Sequence, residues 1–269
     1  MTYGFFVIVC IIVLCIFLTE KGGEKVHDIR YVGTDEAGFL SVNGDNGMIV
    51  GGLFQGKNVF FPFMKRADGK ERGGCPICFP AFGPPAPVYS GEEQHGWLRH
   101  AHLHTYTEDR SVISFGVHAI GGLYYGNMNV SVMHTAKNHA LISRLSFAHN
   151  PVCIDDIQPL VRPGFHPYFP NDGATKLIVK GQEYTKFCQE ARCIFVDSSD
   201  EIVIDTGRLR MTMVLEGFTD RTCLYLWSDN PRKYFCVEPV FCAKEEFLLG
   251  RSMLIEHGKT YSMAMKLFL

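Results

Sequence analysis

Tyr261-Ser262-Met263-Ala264-Met265-Lys266-Leu267-Phe268-Leu269, the last nine residues, alternate with period two. A strand sends successive side chains to opposite faces, so this pattern fits a half-buried strand and not a helix of period 3.6. Leu209-Arg210-Met211-Thr212-Met213-Val214-Leu215 repeats it. Short apolar or β-branched runs fill the chain between: 112–117, 141–147, 177–179, 202–204, 223–227 and 234–237. Turn chemistry separates them, as in Asn43-Gly44-Asp45-Asn46-Gly47, Asn171-Asp172-Gly173 and Asp229-Asn230-Pro231. No long amphipathic helix and no fixed-period repeat is visible, which excludes a helical bundle and disfavours a propeller. The expected fold is all-β: a large antiparallel β-sandwich in one domain, residues 26–269, with no interior linker.

The 269 residues are 46% hydrophobic and 20% charged, with a formal net charge of −2, so the chain can build a sizeable core. No basic stripe is present, and a nucleic-acid partner is not expected. The ten cysteines are scattered and mostly embedded in apolar runs. They read as buried thiols, not a disulfide framework, which favours a reducing compartment.

Residues 1–25 stand apart. Phe5 to Leu18 (FFVIVCIIVLCIFL) carries no polar group and is followed by the short link Glu20–Lys25. With its flanks it approaches the about 17–25 residues of a membrane-spanning helix. The expectation is a membrane contact through residues 3–19, and the lysines after the run put the domain on the cytoplasmic side. The alternative is a signal peptide, cleaved to release a secreted protein.

Four segments carry the candidate chemistry. Arg72-Gly73-Gly74-Cys75-Pro76-Ile77-Cys78-Phe79-Pro80-Ala81-Phe82-Gly83 contains a C-x-x-C. A redox pair would open a helix and a zinc site would need a second ligand pair, so two thiols packed in a loop is the better reading. Gln94-His95-Gly96-Trp97-Leu98-Arg99 combines groups that suit a polar ligand with one apolar face, although a structural loop fits equally. Beyond it, His100, His102 and His104 alternate on an expected strand, more simply as an exposed face than as metal ligands. Gly164-Phe165-His166-Pro167-Tyr168-Phe169-Pro170 holds His166 in a stiff, extended, aromatic setting suited to a general acid. In Cys236-Val237-Glu238-Pro239-Val240, Glu238 closes an apolar strand, where desolvation makes a carboxylate a stronger base.

Taken in order, R-G-G-x-P-I-C-F-P-x-F-G, Q-H-G-W-L-R, G-F-H-P-Y-F and C-V-E-P-V resemble the aldose 1-epimerase superfamily, which includes galactose mutarotase and the hexose-6-phosphate 1-epimerases. The resemblance runs from about Gly51 to the C-terminus. It implies the galactose mutarotase-like supersandwich and interconversion of the α and β anomers of a hexose or hexose 6-phosphate. His166 and Glu238 match the catalytic histidine and glutamate, and His95 and Arg99 match sugar-contacting positions. Arg72 and Arg99 match the pair that holds phosphate in the phosphosugar branch. Glu238 would take the anomeric proton and protonated His166 would give one to the ring oxygen, across a space the size of one pyranose. Trp97, Tyr168 or Phe169 would stack on the sugar, and no metal or organic cofactor is required.

The chain departs from the family in two places. A Tyr-x-Asp acid after the histidine motif is replaced by Tyr184-Thr185-Lys186-Phe187, with Asp197 or Asp200 as candidate substitutes. Phe241-Cys242-Ala243-Lys244-Glu245-Glu246-Phe247 replaces an apolar, proline-rich stretch after Glu238. A carbohydrate-binding protein without turnover, or a polysaccharide enzyme with a cleft for several rings, is therefore the rival reading. The sequence leaves the oligomeric state open.

Overall fold

The computed structural model describes residues 28–34, 36–84, 93–120, 127–150 and 158–269. The apolar segment Phe5–Leu18 and its link, where an anchor or signal peptide is expected, lie outside the described residues.

The alternating C-terminal stretch forms the strand Thr260–Phe268 at the middle of a nine-stranded antiparallel sheet. It pairs Ala140–His149 on one side (Leu145 opposite Met263) and Arg210–Glu216 on the other (Met213 opposite Leu267). Outward from these lie Asn127–Lys137, Val112–Ile120 and His104–Glu108 on one flank. Ile202–Asp205, Lys176–Val179 and Gln182–Tyr184 complete the other. Met263, Met265 and Leu267 are buried, as are Met128, Val130 and Val132 on Asn127–Lys137, so the period-two pattern marks the inner face.

A six-stranded sheet supplies the opposing layer. Its order is Arg192–Val196, Thr222–Trp227, Tyr234–Val240, Gly164–Phe165 and Ile77–Cys78, with Tyr168–Pro170 also paired to Tyr234–Val240. Leu224, Leu226, Phe235, Val237, Phe165 and Phe169 from this sheet join Leu145, Phe147, Met263 and Met265 in one continuous cluster. Two sheets facing each other through such a layer make a sandwich. Burying one such side chain contributes about 1.5–3 kcal/mol. A four-stranded antiparallel sheet, Ile29–Thr34, Gly38–Asn43, Ile49–Phe54 and Lys57–Phe60, adds Val32, Leu40, Val42 and Ile49 to the same cluster. The described α-helix is the single turn Lys244–Leu248, in the stretch that departs from the family pattern.

Two local expectations change. Only His104 lies on a strand; Leu98–His100 is a 3-10 turn, closed by Ala101 N–H donating to Leu98 O, so the three histidines do not share a strand face. Cys193 and Cys223, on neighbouring strands with Cα atoms 5.7 Å apart, are joined by a disulfide. The buried-thiol reading holds for Cys75, Cys78, Cys236 and Cys242, while Cys188 is exposed.

Candidate active site

The Tyr234–Val240 strand is buried along its whole length, and its alternation divides two environments. Phe235 and Val237 enter the core, whereas Tyr234, Cys236, Glu238 and Val240 belong to the opposite face. Its neighbours follow the same rule. Leu224 and Leu226 go inward and Tyr225 and Trp227 outward; Phe169 goes inward and Tyr168 outward. Of this outward set, Tyr168, Tyr225, Trp227 and Glu238 floor a cleft of about 1410 Å³. Ligand pockets commonly span about 300–1,000 Å³, so the cleft extends beyond one small molecule.

All five residues singled out from the sequence line this cleft: Arg72, His95, Arg99, His166 and Glu238. His166 Nε2 lies 3.3 Å from Glu238 Oε1, with the two side chains 10% and 4% exposed. The imidazole and the carboxyl are thus side by side, not across a pyranose-sized gap. Sheet pairing explains this: Gly164, just before His166, sits opposite Val240, just beyond Glu238. The imidazole is held between two rings, Tyr168 at 4.8 Å and 4° and Phe82 at 5.5 Å and 30°. His166 N–H donates to Pro76 O at 2.9 Å, and Tyr168 N–H to Gly74 O at 2.9 Å. The C-x-x-C loop is therefore the cradle of His166. A Cβ on Gly74 (φ +66°) would sit 2.0 Å from Ile49 O, so only glycine allows the loop to pass.

The Gln94–Arg99 segment closes the site from another side. His95 has φ +70° and Gly96 φ +71°, and a Gly96 Cβ would lie 2.1 Å from Phe79 O. That close approach is the reason for the glycine. His95 Nδ1 accepts from Gly83 N–H at 3.1 Å, which leaves Nε2 as the protonated nitrogen of the neutral ring. The His95 ring stands 5.3 Å from that of His166.

Burial dominates the electrostatics. It pushes the Glu238 carboxyl well above the ordinary range, opposed by Arg162. It pushes His166 well below, helped by His95, Arg72 and Arg99. His95 is pushed down to about 4 by burial and by Arg99, Arg162 and Arg72. Both shifts act in the same direction, favouring the uncharged carboxyl and imidazole over an imidazolium–carboxylate pair. His166 Nδ1 and Glu238 Oε1 are buried with no hydrogen-bond partner among the described residues. Buried polar atoms left unpaired are costly, and functional sites are where they persist.

Arg72 reaches the cleft already engaged. Asp229 Oδ2 accepts from its Nε at 3.0 Å and its Nη2 at 2.7 Å, and its guanidinium lies 5.4 Å over Trp227. Arg99 Nε is buried without a hydrogen-bond partner among the described residues. Arg162, which the motifs did not single out, is 2% exposed and donates to Cys242 O, Phe82 O and Tyr225 Oη. Trp227 and Tyr225, also not singled out, line the cleft with Tyr168. Phe169 faces the core instead, and Trp97 packs on Phe79 at 5.9 Å. Asp197 and Asp200 do not line the cleft.

No protein-family model matches the chain, and no curated protein does. Solved structures match along almost their whole length. A galactose mutarotase related enzyme from Lactobacillus acidophilus aligns at TM-score 0.71 and 13% identity, over 89% of this chain and 96% of that one. The fold is that of the galactose mutarotases. A galactose mutarotase-like protein from Lactobacillus casei aligns at TM-score 0.67 and 12% identity over 89% and 99%. An aldose epimerase homologue from C. elegans gives 0.62 and 10% over 90% and 98%. The expected supersandwich is thus observed, with His166 and Glu238 on the cleft face of its six-stranded layer.

Proposed function

We propose that this protein is an aldose 1-epimerase acting on a hexose or hexose 6-phosphate, with Glu238 and His166 as its proton-transfer pair. The observation that supports this most is the 3.3 Å contact between two buried titratable groups at the floor of an open cleft. Opening a pyranose removes a proton from the oxygen on C1 and adds one to the ring oxygen, which is also bonded to C1. Adjacent acid and base suit two oxygens on one carbon.

The cyclic sugar engages the pair as Glu238 carboxylate and His166 imidazolium. Glu238 takes the anomeric proton, His166 donates to the ring oxygen, and the C1–O5 bond breaks. The aldehyde turns about C1–C2, and both transfers reverse as the ring closes on its other face. The pair holds one proton when the ring is closed and one when it is open. After opening, both partners are neutral, the state that burial favours. Desolvation thus assists ring opening. Each positioned acid or base contributes about 10²–10⁴-fold. Tyr168 and Trp227 offer ring faces for the apolar side of the sugar, and His95 offers an N–H donor.

Arg99 and Arg72 on the same cleft support a phosphorylated substrate, although Asp229 already takes much of the Arg72 charge. Polarimetry or saturation-transfer NMR of α/β exchange in glucose, galactose and their 6-phosphates tests the proposal. No acceleration for any of them rejects it. One observation favours a second reading, a sugar-binding protein without turnover: neither Asp197, Asp200 nor a side chain of Tyr184–Phe187 lines the cleft. Calorimetric sugar binding without accelerated exchange would select that reading.

A further inference from the structure

We infer that His166, Cys236 and Glu238 form a site for a thiophilic divalent cation, zinc above all, whose occupancy competes with the sugar. An imidazole nitrogen, the Cys236 Sγ and a carboxylate oxygen lie within 4.8 Å of one another, and all three residues are buried. The alternation of the Tyr234–Val240 strand puts Cys236 and Glu238 on one face, and the clamped His166 ring approaches from the adjoining segment.

Zinc takes histidine nitrogen at about 2.0–2.1 Å, carboxylate oxygen at about 2.0–2.2 Å and thiolate sulfur at about 2.3 Å, usually as a tetrahedron. Ligand atoms in such a site stand roughly 3–4 Å apart. The His166–Glu238 contact of 3.3 Å already meets that spacing. The three ligand atoms lie within 4.8 Å of one another, so Cys236 Sγ would have to draw in only slightly to reach that spacing. Two anionic ligands would balance the charge of the ion, and the unpaired Glu238 Oε1 would gain a partner. One nitrogen, one sulfur and one oxygen favour zinc, cobalt or cadmium over magnesium or calcium. His166 and Glu238 line the cleft, which gives the ion its route, while Cys236 lies behind them.

The inhibitory consequence rests on the proposed proton transfer, because a metal-bound Glu238 and His166 cannot exchange protons with a sugar. Metal binding itself does not rest on it. The test is titration of the full chain with cobalt(II), following the thiolate-to-cobalt charge-transfer absorption. One equivalent should develop the band, zinc should displace it and magnesium should not. Cys236→Ser and Cys236→Ala should lose the band while retaining the wild-type circular dichroism, and Glu238→Gln should weaken cobalt binding. Cys188→Ser should keep the band, as should Cys78→Ser, which removes the thiol 3.5 Å from His95 Nδ1. Zinc should slow anomer exchange in the wild type, with EDTA restoring it, and have no effect in Cys236→Ser. A band that survives in both folded Cys236 variants, one that vanishes in Cys78→Ser, or none in the wild type overturns the inference. If the protein accelerates no anomer exchange, the absorption experiment still decides the site.

Discussion

Replacing Glu238 by glutamine removes the ionisable oxygen and changes little else in shape. The side chain is 4% exposed, and its Oε1 has no hydrogen-bond partner among the described residues. A missing positioned base lowers the rate about 10²–10⁴-fold. At about 1.36 kcal/mol per tenfold this raises the barrier by roughly 2.7–5.4 kcal/mol. Stability moves the other way, and its pH dependence gives a second readout. Burial raises the folded-state pKa of Glu238 above its ordinary value of 4.5. Between that value and the raised one, the folded protein holds a proton that the unfolded chain has released. Stability therefore falls as pH rises through this window, by at most about 1.4 kcal/mol per pH unit. Glu238→Gln lacks the slope, so its stability relative to wild type should grow as pH rises above the ordinary carboxylate value of 4.5. Exchange NMR on glucose and glucose 6-phosphate measures the first effect, and urea denaturation across pH the second. A folded Glu238→Gln protein exchanging anomers within about threefold of wild type would refute the assignment of the base. Parallel stability profiles would refute the buried-carboxyl account.

Anomer exchange should follow a bell-shaped pH profile, falling at acid pH as the pair gains a second proton and at alkaline pH as it loses its last; a flat profile from pH 4 to 10 would contradict one-proton cycling. Arg162→Met strands Cys242 O, Phe82 O and Tyr225 Oη, so denaturation should show a loss of about 3 kcal/mol or more; under about 1 kcal/mol would remove its structural role. Gly74→Ala drives a Cβ to 2.0 Å from Ile49 O at φ +66° and should cost about 2 kcal/mol while also lowering the exchange rate through displacement of His166; wild-type melting would show the cradle to be dispensable. Arg99→Met should raise KM for a hexose 6-phosphate about tenfold or more, and by clearly more than for the free hexose; equal effects would set the phosphate reading aside.

The strands were legible because each inner face repeats every second residue, as Met263, Met265 and Leu267 do. The same periodicity distinguishes Tyr168, on the cleft, from Phe169, in the core, and applied strictly it would have removed Phe169 from the sugar-stacking candidates. His100 and His102 misled because period two continues into their segment, while Gly96 in the left-handed region starts a turn that alternation does not register. Arg162, Tyr225 and Trp227 were not singled out for the cleft because their placement depends on strand pairing. Arg162 meets Tyr225 across a sequence separation of 63, and nothing local to either announces it. The separation of His166 and Glu238 was misjudged for the same reason: the register of Gly164 against Val240, not composition, brings them into contact.

The Tyr234–Val240 strand has partners on both edges and is buried at every position. Such a strand opens only when the whole sandwich does, so its amide hydrogens should be among the slowest in the molecule to exchange with solvent. Glu238 and Cys236 are thereby anchored where thermal fluctuation is smallest, while the cleft rim is assembled from turns such as Gln94–Arg99. Changes of ligand preference can accumulate in those turns over evolutionary time without shifting the floor beneath them.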